Sequence, residues 1–207
     1  RLDEVLRAHA RFIGDFFTSN GVTIVPGRAR LADAHTVEVQ SVRGDKRRLH
    51  ARVLVLATGS RPRNPPEVPV DHDSILDSDS ILSMLYLPRS LAVLGGGVIA
   101  TEYASIFSLL GVKVTMIDRG PRPLGFIDPE LVDRFLQHFA AHGGTWIGGR
   151  ATQNVTINRV GEVVTTLDDG TVITSEKMLC ALGRSANVEG LGLAEIGIKQ
   201  GKYGVIT

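Results

Sequence analysis

One cysteine, one tryptophan and 5% aromatic residues in a chain of 207 are what this sequence has least of. With Cys180 alone, no internal disulfide and no CxxC redox or zinc pair can form, and its setting in Met178-Leu179-Cys180-Ala181-Leu182 predicts a buried strand thiol. No apolar run approaches the ~20 residues that cross a bilayer, and no basic-then-apolar leader opens the sequence, so no membrane partner is expected. His9, His35, His50, His72, His138 and His142 show no ligand spacing with Cys or carboxylates and no triad with a nucleophile. Neither a metal site nor a catalytic residue is therefore expected, and a cytoplasmic location is the default. Excess charge is lacking too: 23 basic against 22 acidic residues leave +1. Its distribution is uneven, with 12 Lys/Arg against 6 Asp/Glu in residues 1–63 and 11 against 16 thereafter, which suggests two modules. The basic cluster Arg43, Lys46, Arg47 and Arg48 has no interleaved aromatics, so it reads as a solvated turn and not as a nucleic-acid surface.

What is present is 43% hydrophobic residues, ample for a packed core, and a clear alternation of strand and helix patterns. Leu2, Val5, Leu6, Ala10, Ile13, Phe16 and Phe17 recur at helical spacing up to Asn20-Gly21. Short β-branched runs follow at 22–25, 28–31, 36–42 and 47–56, and the last ends in Val53-Leu54-Val55-Leu56-Ala57-Thr58-Gly59-Ser60. Such an apolar run predicts a fully buried parallel strand with its C-terminal end toward a ligand. Pro62, Pro65, Pro66 and Pro69 mark an extended crossing between domains. Beyond it we expect strands at 91–94, 112–117, 145–147, 154–158, 162–167, 172–174 and 177–182. Helices are expected at 98–110 and 129–142, the latter capped by Asp128, with a hairpin turn at Asp169-Gly170. Trp146 begins a strand pattern and belongs to the core more readily than to a stacking platform. The chain opens on Arg1 as if inside a helix and ends as if starting a strand, so a piece of a longer protein is expected.

The most informative segment is Gly95-Gly96-Gly97-Val98-Ile99-Ala100, a GxGxxA turn between an apolar strand and an apolar-faced helix. Gly95 permits the tight turn, Gly97 lets a pyrophosphate approach the main chain, and a small residue at Ala100 lets the helix pack against the sheet. Free amides at the helix start then hold the diphosphate. Asp118, 23 residues after Gly95 and at the end of the second strand, stands where a carboxylate accepts from the ribose hydroxyls of NAD. Arg119 and Arg122 complicate the choice, because the 2′-phosphate of NADP needs arginine. Either they are solvated loop residues or the site accepts both nucleotides. Glu102, in the first turns of the helix, either faces the nicotinamide or favours the helix dipole.

Three segments together resemble the two-dinucleotide-binding-domain flavoproteins, the pyridine nucleotide disulfide oxidoreductases: Ala57-Thr58-Gly59-Ser60-Arg61-Pro62, Gly95 to Ala104, and Ala181-Leu182-Gly183-Arg184-Ser185-Ala186-Asn187. The resemblance implies an α/β fold, a Rossmann-like three-layer NAD(P)-binding domain at 76–183 inserted into a partial FAD-binding domain formed by 1–75 and a return segment at 184–207. It implies Thr58 and Gly59 near FAD, Gly183 near the nicotinamide nucleotide, and FAD, NAD and NADP as cofactors. Within the family, Asp77 to Met84 and Glu102 to Phe107 most resemble members that pass a hydride between NADPH and NAD through FAD. A dihydrolipoamide dehydrogenase and, from a different class, a non-catalytic nucleotide-binding module are the alternatives. The resemblance further implies a homodimeric whole protein, and catalysis outside this piece, whose missing FAD glycine turn implies weak FAD retention.

Overall fold

The computed structural model describes residues 2–207 and divides into two compact units. One comprises the chain up to Thr58 together with Val188–Thr207, and the other comprises Gly59–Asn187. In the first, α1 (Leu2–Ser19) forms as its apolar spacing requires and ends where Gly21 takes a positive φ of 70°. Its Val5, Leu6, Phe12 and Phe16 are exposed. A three-stranded antiparallel meander follows, β1 (Arg28–Leu31), β2 (Thr36–Gln40) and β3 (Lys46–His50). Leu31, Val39, Val188 and Leu193 are the buried apolar residues of this unit, and Leu31 N–H donates to Leu191 O at 2.8 Å.

Two strand expectations fail in this unit. Residues 22–25 and 51–58 form no strand, and Val53 and Val55 are 76% and 84% exposed. β-Branched composition favours a strand only when a neighbouring strand can take its backbone hydrogen bonds in series, and among the described residues neither segment pairs with one.

The second unit carries β4 (Ser60–Pro62), β5 (Ile75–Asp77), β6 (Ser90–Leu94), α2 (Val98–Leu109), β7 (Lys113–Ile117), α3 (Pro129–Ala141), β8 (Thr145–Ile147), β9 (Thr152–Ile157), β10 (Val163–Leu167), β11 (Val172–Ser175), β12 (Lys177–Cys180) and β13 (Arg184–Ala186). Its centre is a five-stranded all-parallel sheet in the order β5-β12-β6-β7-β8. Parallel strands are buried on both faces. Leu91 and Val93 of β6 accordingly pack with Ala100, Ala104 and Phe107 of α2 and Phe139 of α3. Ala92 and Leu94 point the other way, toward Val155, Val163 and Leu167 of the antiparallel sheet β9-β10-β11. The unit is thus three-layered: helices, parallel sheet, antiparallel sheet. Asp128 caps α3 through its carboxylate, which accepts from Glu130 N–H at 2.9 Å.

The units divide ahead of residue 75 and beyond residue 183 because β4 pairs antiparallel with β13 and β5 joins the parallel sheet. Both pairings tie the proline-rich crossing to the second unit.

β5 ends on Asp77, a carboxylate that is 4% exposed. Burial acts to raise its pKa, but it accepts from Asn64 Nδ2 (3.0 Å), Ser80 N–H (2.8 Å), Ser80 Oγ (2.8 Å) and Asp79 N–H (3.1 Å), and these bonds win, drawing it from 3.8 to about 2. A lowered folded-state value contributes stability above the unfolded pKa, and that contribution is lost as pH falls through the folded one. Asp77→Asn is therefore expected to cost about 2 kcal/mol in urea unfolding at pH 7. Its deficit relative to the parent should shrink as pH falls from about 4 toward 2, whereas a deficit independent of pH would contradict this role.

Candidate functional site

The turn between β6 and α2 sits where three parallel strands end side by side. Gly95 N–H donates to Ile117 O at 2.8 Å, and Ala181 N–H donates to Leu94 O at 2.9 Å, so the turn is fastened to the ends of β7 and β12. Gly95 has φ +120°, and a Cβ placed there would lie 2.5 Å from Ala181 O, which excludes any other residue on two counts. A Cβ on Gly96 would lie 3.0 Å from the Trp146 ring and 3.3 Å from Asp118 Cβ and Cγ. Gly97 differs, since no atom lies within 4 Å of the Cβ position, which opens to space. Ala100 is fully buried and fills the gap beneath Gly95.

α2 begins at Gly97 with no side-chain cap, and the first bond that closes the helix is Thr101 N–H to Gly97 O at 3.0 Å. The amides ahead of it, at Val98, Ile99 and Ala100, are among the donors that every helix start leaves unpaired. An uncapped helix start beneath an empty Cβ position has the form of an anion cradle: its amides are donors, the dipole favours negative charge, and no side chain intrudes.

Around this cradle lies a cavity of about 600 Å³, walled by Gly95, Gly96, Gly97, Val98 and Ile99, by Asp118 and Arg119 beyond β7, and by Ala181 to Gly183 beyond β12. That volume falls in the usual range for a small-molecule site. The cavity lies between the C-terminal ends of β6 and β12, where the chain's strand order switches direction, and open α/β sheets bind their ligands at such a point. Asp118 is half-buried, and its Oδ1 accepts from Gly120 N–H at 2.6 Å, which leaves Oδ2 as the uncommitted oxygen.

Other residues singled out in the sequence stand elsewhere. Arg122 is not in the cavity wall: its Nη1 pairs with Asp133 Oδ1 at 2.8 Å and donates to Pro129 O. Glu102 is exposed on the outer side of α2, in a separate groove with Tyr103, Ile106 and Phe135. Gly59 takes φ +71° and accepts from Asn187 N–H at 3.0 Å, away from this wall, and Thr58 belongs to the other unit. Trp146 is half-buried against the helix-side core. Burial pushes the Cys180 thiol up, so it is a packing residue with little thiolate character.

Sequence reasoning missed Arg63, Arg150 and Thr152 in the same wall. Arg63 donates from Nε to Leu182 O at 3.0 Å and also from Nη2, bracing the Ala181-to-Gly183 loop. Arg150 follows Gly148-Gly149 just beyond the end of β8, and that position was the available signal. Among the described residues no three His, Cys, Asp or Glu side chains gather as a metal site, and no helix is long and apolar enough to cross a membrane.

Residues 5–207 match the pyridine nucleotide-disulphide oxidoreductase family. The chain is 37% identical over 206 residues to the soluble pyridine nucleotide transhydrogenase of Marinobacter nauticus, covering 99% of this chain and 44% of that one. It is 37% identical to the protein of the same name from Pseudomonas putida, covering 92% and 41%. The chain therefore spans less than half the length of these relatives. Among solved structures it resembles LpdA from Mycobacterium tuberculosis, with a TM-score of 0.89, 28% identity, and coverage of 97% of this chain and 45% of that one. The HOCl-induced flavoprotein disulfide reductase RclA from Escherichia coli shares the fold, with a TM-score of 0.78 at 22% identity over 90% of this chain and 42% of that one.

The glycines separate stability from binding. Gly95→Ala is expected to destabilise the second unit by 2 kcal/mol or more, roughly, because a carbonyl and a positive φ both oppose the methyl. Gly97→Ala should cost under about 1 kcal/mol, the difference between Gly and Ala at an N-cap, while removing most affinity for a phosphate-bearing ligand. Equal effects of the two on thermal unfolding, or full binding by Gly97→Ala, would contradict this division.

Proposed function

Since the chain belongs to the pyridine nucleotide-disulphide oxidoreductase family, we propose that Gly59–Asn187 holds the nicotinamide dinucleotide of an FAD-dependent oxidoreductase. We further propose that the whole enzyme passes a hydride between NADPH and NAD by way of FAD. The observation that carries the first statement is the empty Cβ position at Gly97 over the uncapped start of α2. The second rests on relatives named as transhydrogenases and on a carboxylate and an arginine standing together at Asp118 and Arg119.

In this reading the amides of Val98 and Ile99 bind the pyrophosphate, and the open oxygen of Asp118 accepts from an adenosine ribose hydroxyl. Gly183 lets the chain after β12 pass close to the nicotinamide half. Arg63 keeps that loop in place through Leu182 O. When bound, the nicotinamide supplies the hydride chemistry, and the chain's own contribution is to bind, orient and exclude water. For FAD, the first unit presents no strand-glycine-helix turn among the described residues, so no step is assigned there. FAD in the whole protein, and its proposed contact with Thr58 and Gly59, rest on the family's chemistry. A dihydrolipoamide dehydrogenase restricted to NAD is the second reading, favoured by the uncommitted oxygen of Asp118.

Titration of the chain with NADH and with NADPH, followed through the single tryptophan, tests both readings, because the Trp146 ring lies directly under Gly96. We expect both nucleotides to bind with affinities within about tenfold of each other. Asp118→Ala should weaken NADH by about tenfold, the worth of one hydrogen bond to a charged group. Binding of NADH alone, lost in the variant, would favour the dehydrogenase, and binding of neither would overturn the nucleotide assignment.

A further inference from the structure

The loop after β7 and the loop after β8 are clamped together by main-chain bonds. Asp118 N–H donates to Ile147 O at 3.1 Å, Gly149 N–H to Gly120 O at 2.9 Å, and Arg150 N–H to Asp118 O at 3.1 Å. Trp146 Nε1 adds a bond to Pro121 O at 3.3 Å. The approach is so close that a Cβ on Gly148 would lie 2.6 Å from both Pro121 O and Trp146 Nε1. Arg119 rides on one loop and Arg150 on the other, and both line the cavity with Asp118.

We propose that Arg150, together with Arg119, seats the 2′-phosphate of NADPH, and that Arg122 takes no part. This rests on the nucleotide-binding reading above and deepens it by naming the residue that decides between the two nucleotides. The geometry distinguishes the three arginines. Arg122 is committed to Asp133, while Arg119 has no hydrogen-bond or ion-pair partner among the described residues. Arg150 has its Nε 3.0 Å from Asp169 Oδ2, and among the described residues its terminal nitrogens make no hydrogen bond, so that side of the planar fork can meet a ligand. A phosphate brought beside Asp118 meets like-charge repulsion, and a single exposed guanidinium only balances the carboxylate. A second one, at Arg150, brings the planar bidentate donors that a phosphate requires, while sharing its own charge with Asp169. The ribose hydroxyl of NAD still finds Asp118 Oδ2, because Gly120 N–H occupies the other oxygen.

The test compares NADH and NADPH affinities, with 2′,5′-ADP and 5′-ADP as adenosine-end probes, across the parent chain, Arg150→Ala, Arg150→Gln and Arg122→Ala. Thermal unfolding confirms that each variant folds. Arg150→Gln keeps a hydrogen-bond donor for Asp169 and serves where Arg150→Ala is poorly folded. We expect both Arg150 variants to weaken NADPH and 2′,5′-ADP by at least about tenfold while changing NADH and 5′-ADP by less than about threefold. Arg122→Ala should change none by more than about threefold. NADPH binding that is unaltered at Arg150, or lost at Arg122 instead, overturns the inference with the nucleotide-binding reading intact. Equal weakening of NADH and NADPH places Arg150 on the pyrophosphate and also overturns it. Failure of the parent chain to bind any of the four overturns the reading on which the inference rests.

Discussion

The second unit depends on how little room there is around Gly95. Its N–H is held by Ile117 O and its missing side chain would strike Ala181 O, so the ends of β6, β7 and β12 can converge only if this residue is glycine. That convergence sets everything beyond it. α2 starts at a fixed height above the sheet, and its small residues Ala100 and Ala104 lie flat on Leu91 and Val93. The loops after the three strands come to surround one cavity. A side chain at position 95 would push β12 away from β6 and open the floor of the site before any ligand contact was touched.

The parallel sheet explains why this arrangement is rigid. β6 lies in the middle with β12 on one side and β7 on the other, and its residues alternate between the helix layer and the antiparallel layer. A strand buried on both faces and paired on both edges has no cheap way to move, so the glycine turn inherits a preformed shape. The uncapped amides at the start of α2 then cost little to reorganise on binding, because they are already aimed.

How much of this was legible in the sequence depended on whether the signal was local. The GxGxxA turn, its flanking strand and helix, Asp118 at the end of β7 and the Asp128 cap of α3 each follow from residues within one or two turns of each other. The run Val53 to Leu56 carried an equally strong local signal and still formed no strand, because a parallel strand exists only through its neighbours. Arg122 and Arg119 look alike in the sequence, three positions apart in one loop, and only the position of Asp133 on α3 separates them. Arg63 and Arg150 reach the cavity from 32 residues before and 55 residues after Gly95, with the pairing of strands deciding their placement. Nothing in their immediate sequence states that placement, although a cation just after Gly148-Gly149 at a strand end was a readable hint.

The clamp between the β7 and β8 loops bears on how nucleotide preference can vary on a constant fold. Three of its four bonds are backbone to backbone, and the fourth uses Trp146, so none involves the side chains of Arg119 or Arg150. Glycine at 148 keeps the loops close whatever the charged residues beside it are. The framework therefore holds two positions opposite one carboxylate without depending on what occupies them. Changing either arginine alters the local charge, and at Arg150 also an ion pair with Asp169, while the main-chain bonds of the clamp and the strand ends they fasten stay in place, so the charge beside Asp118 can vary on a constant framework.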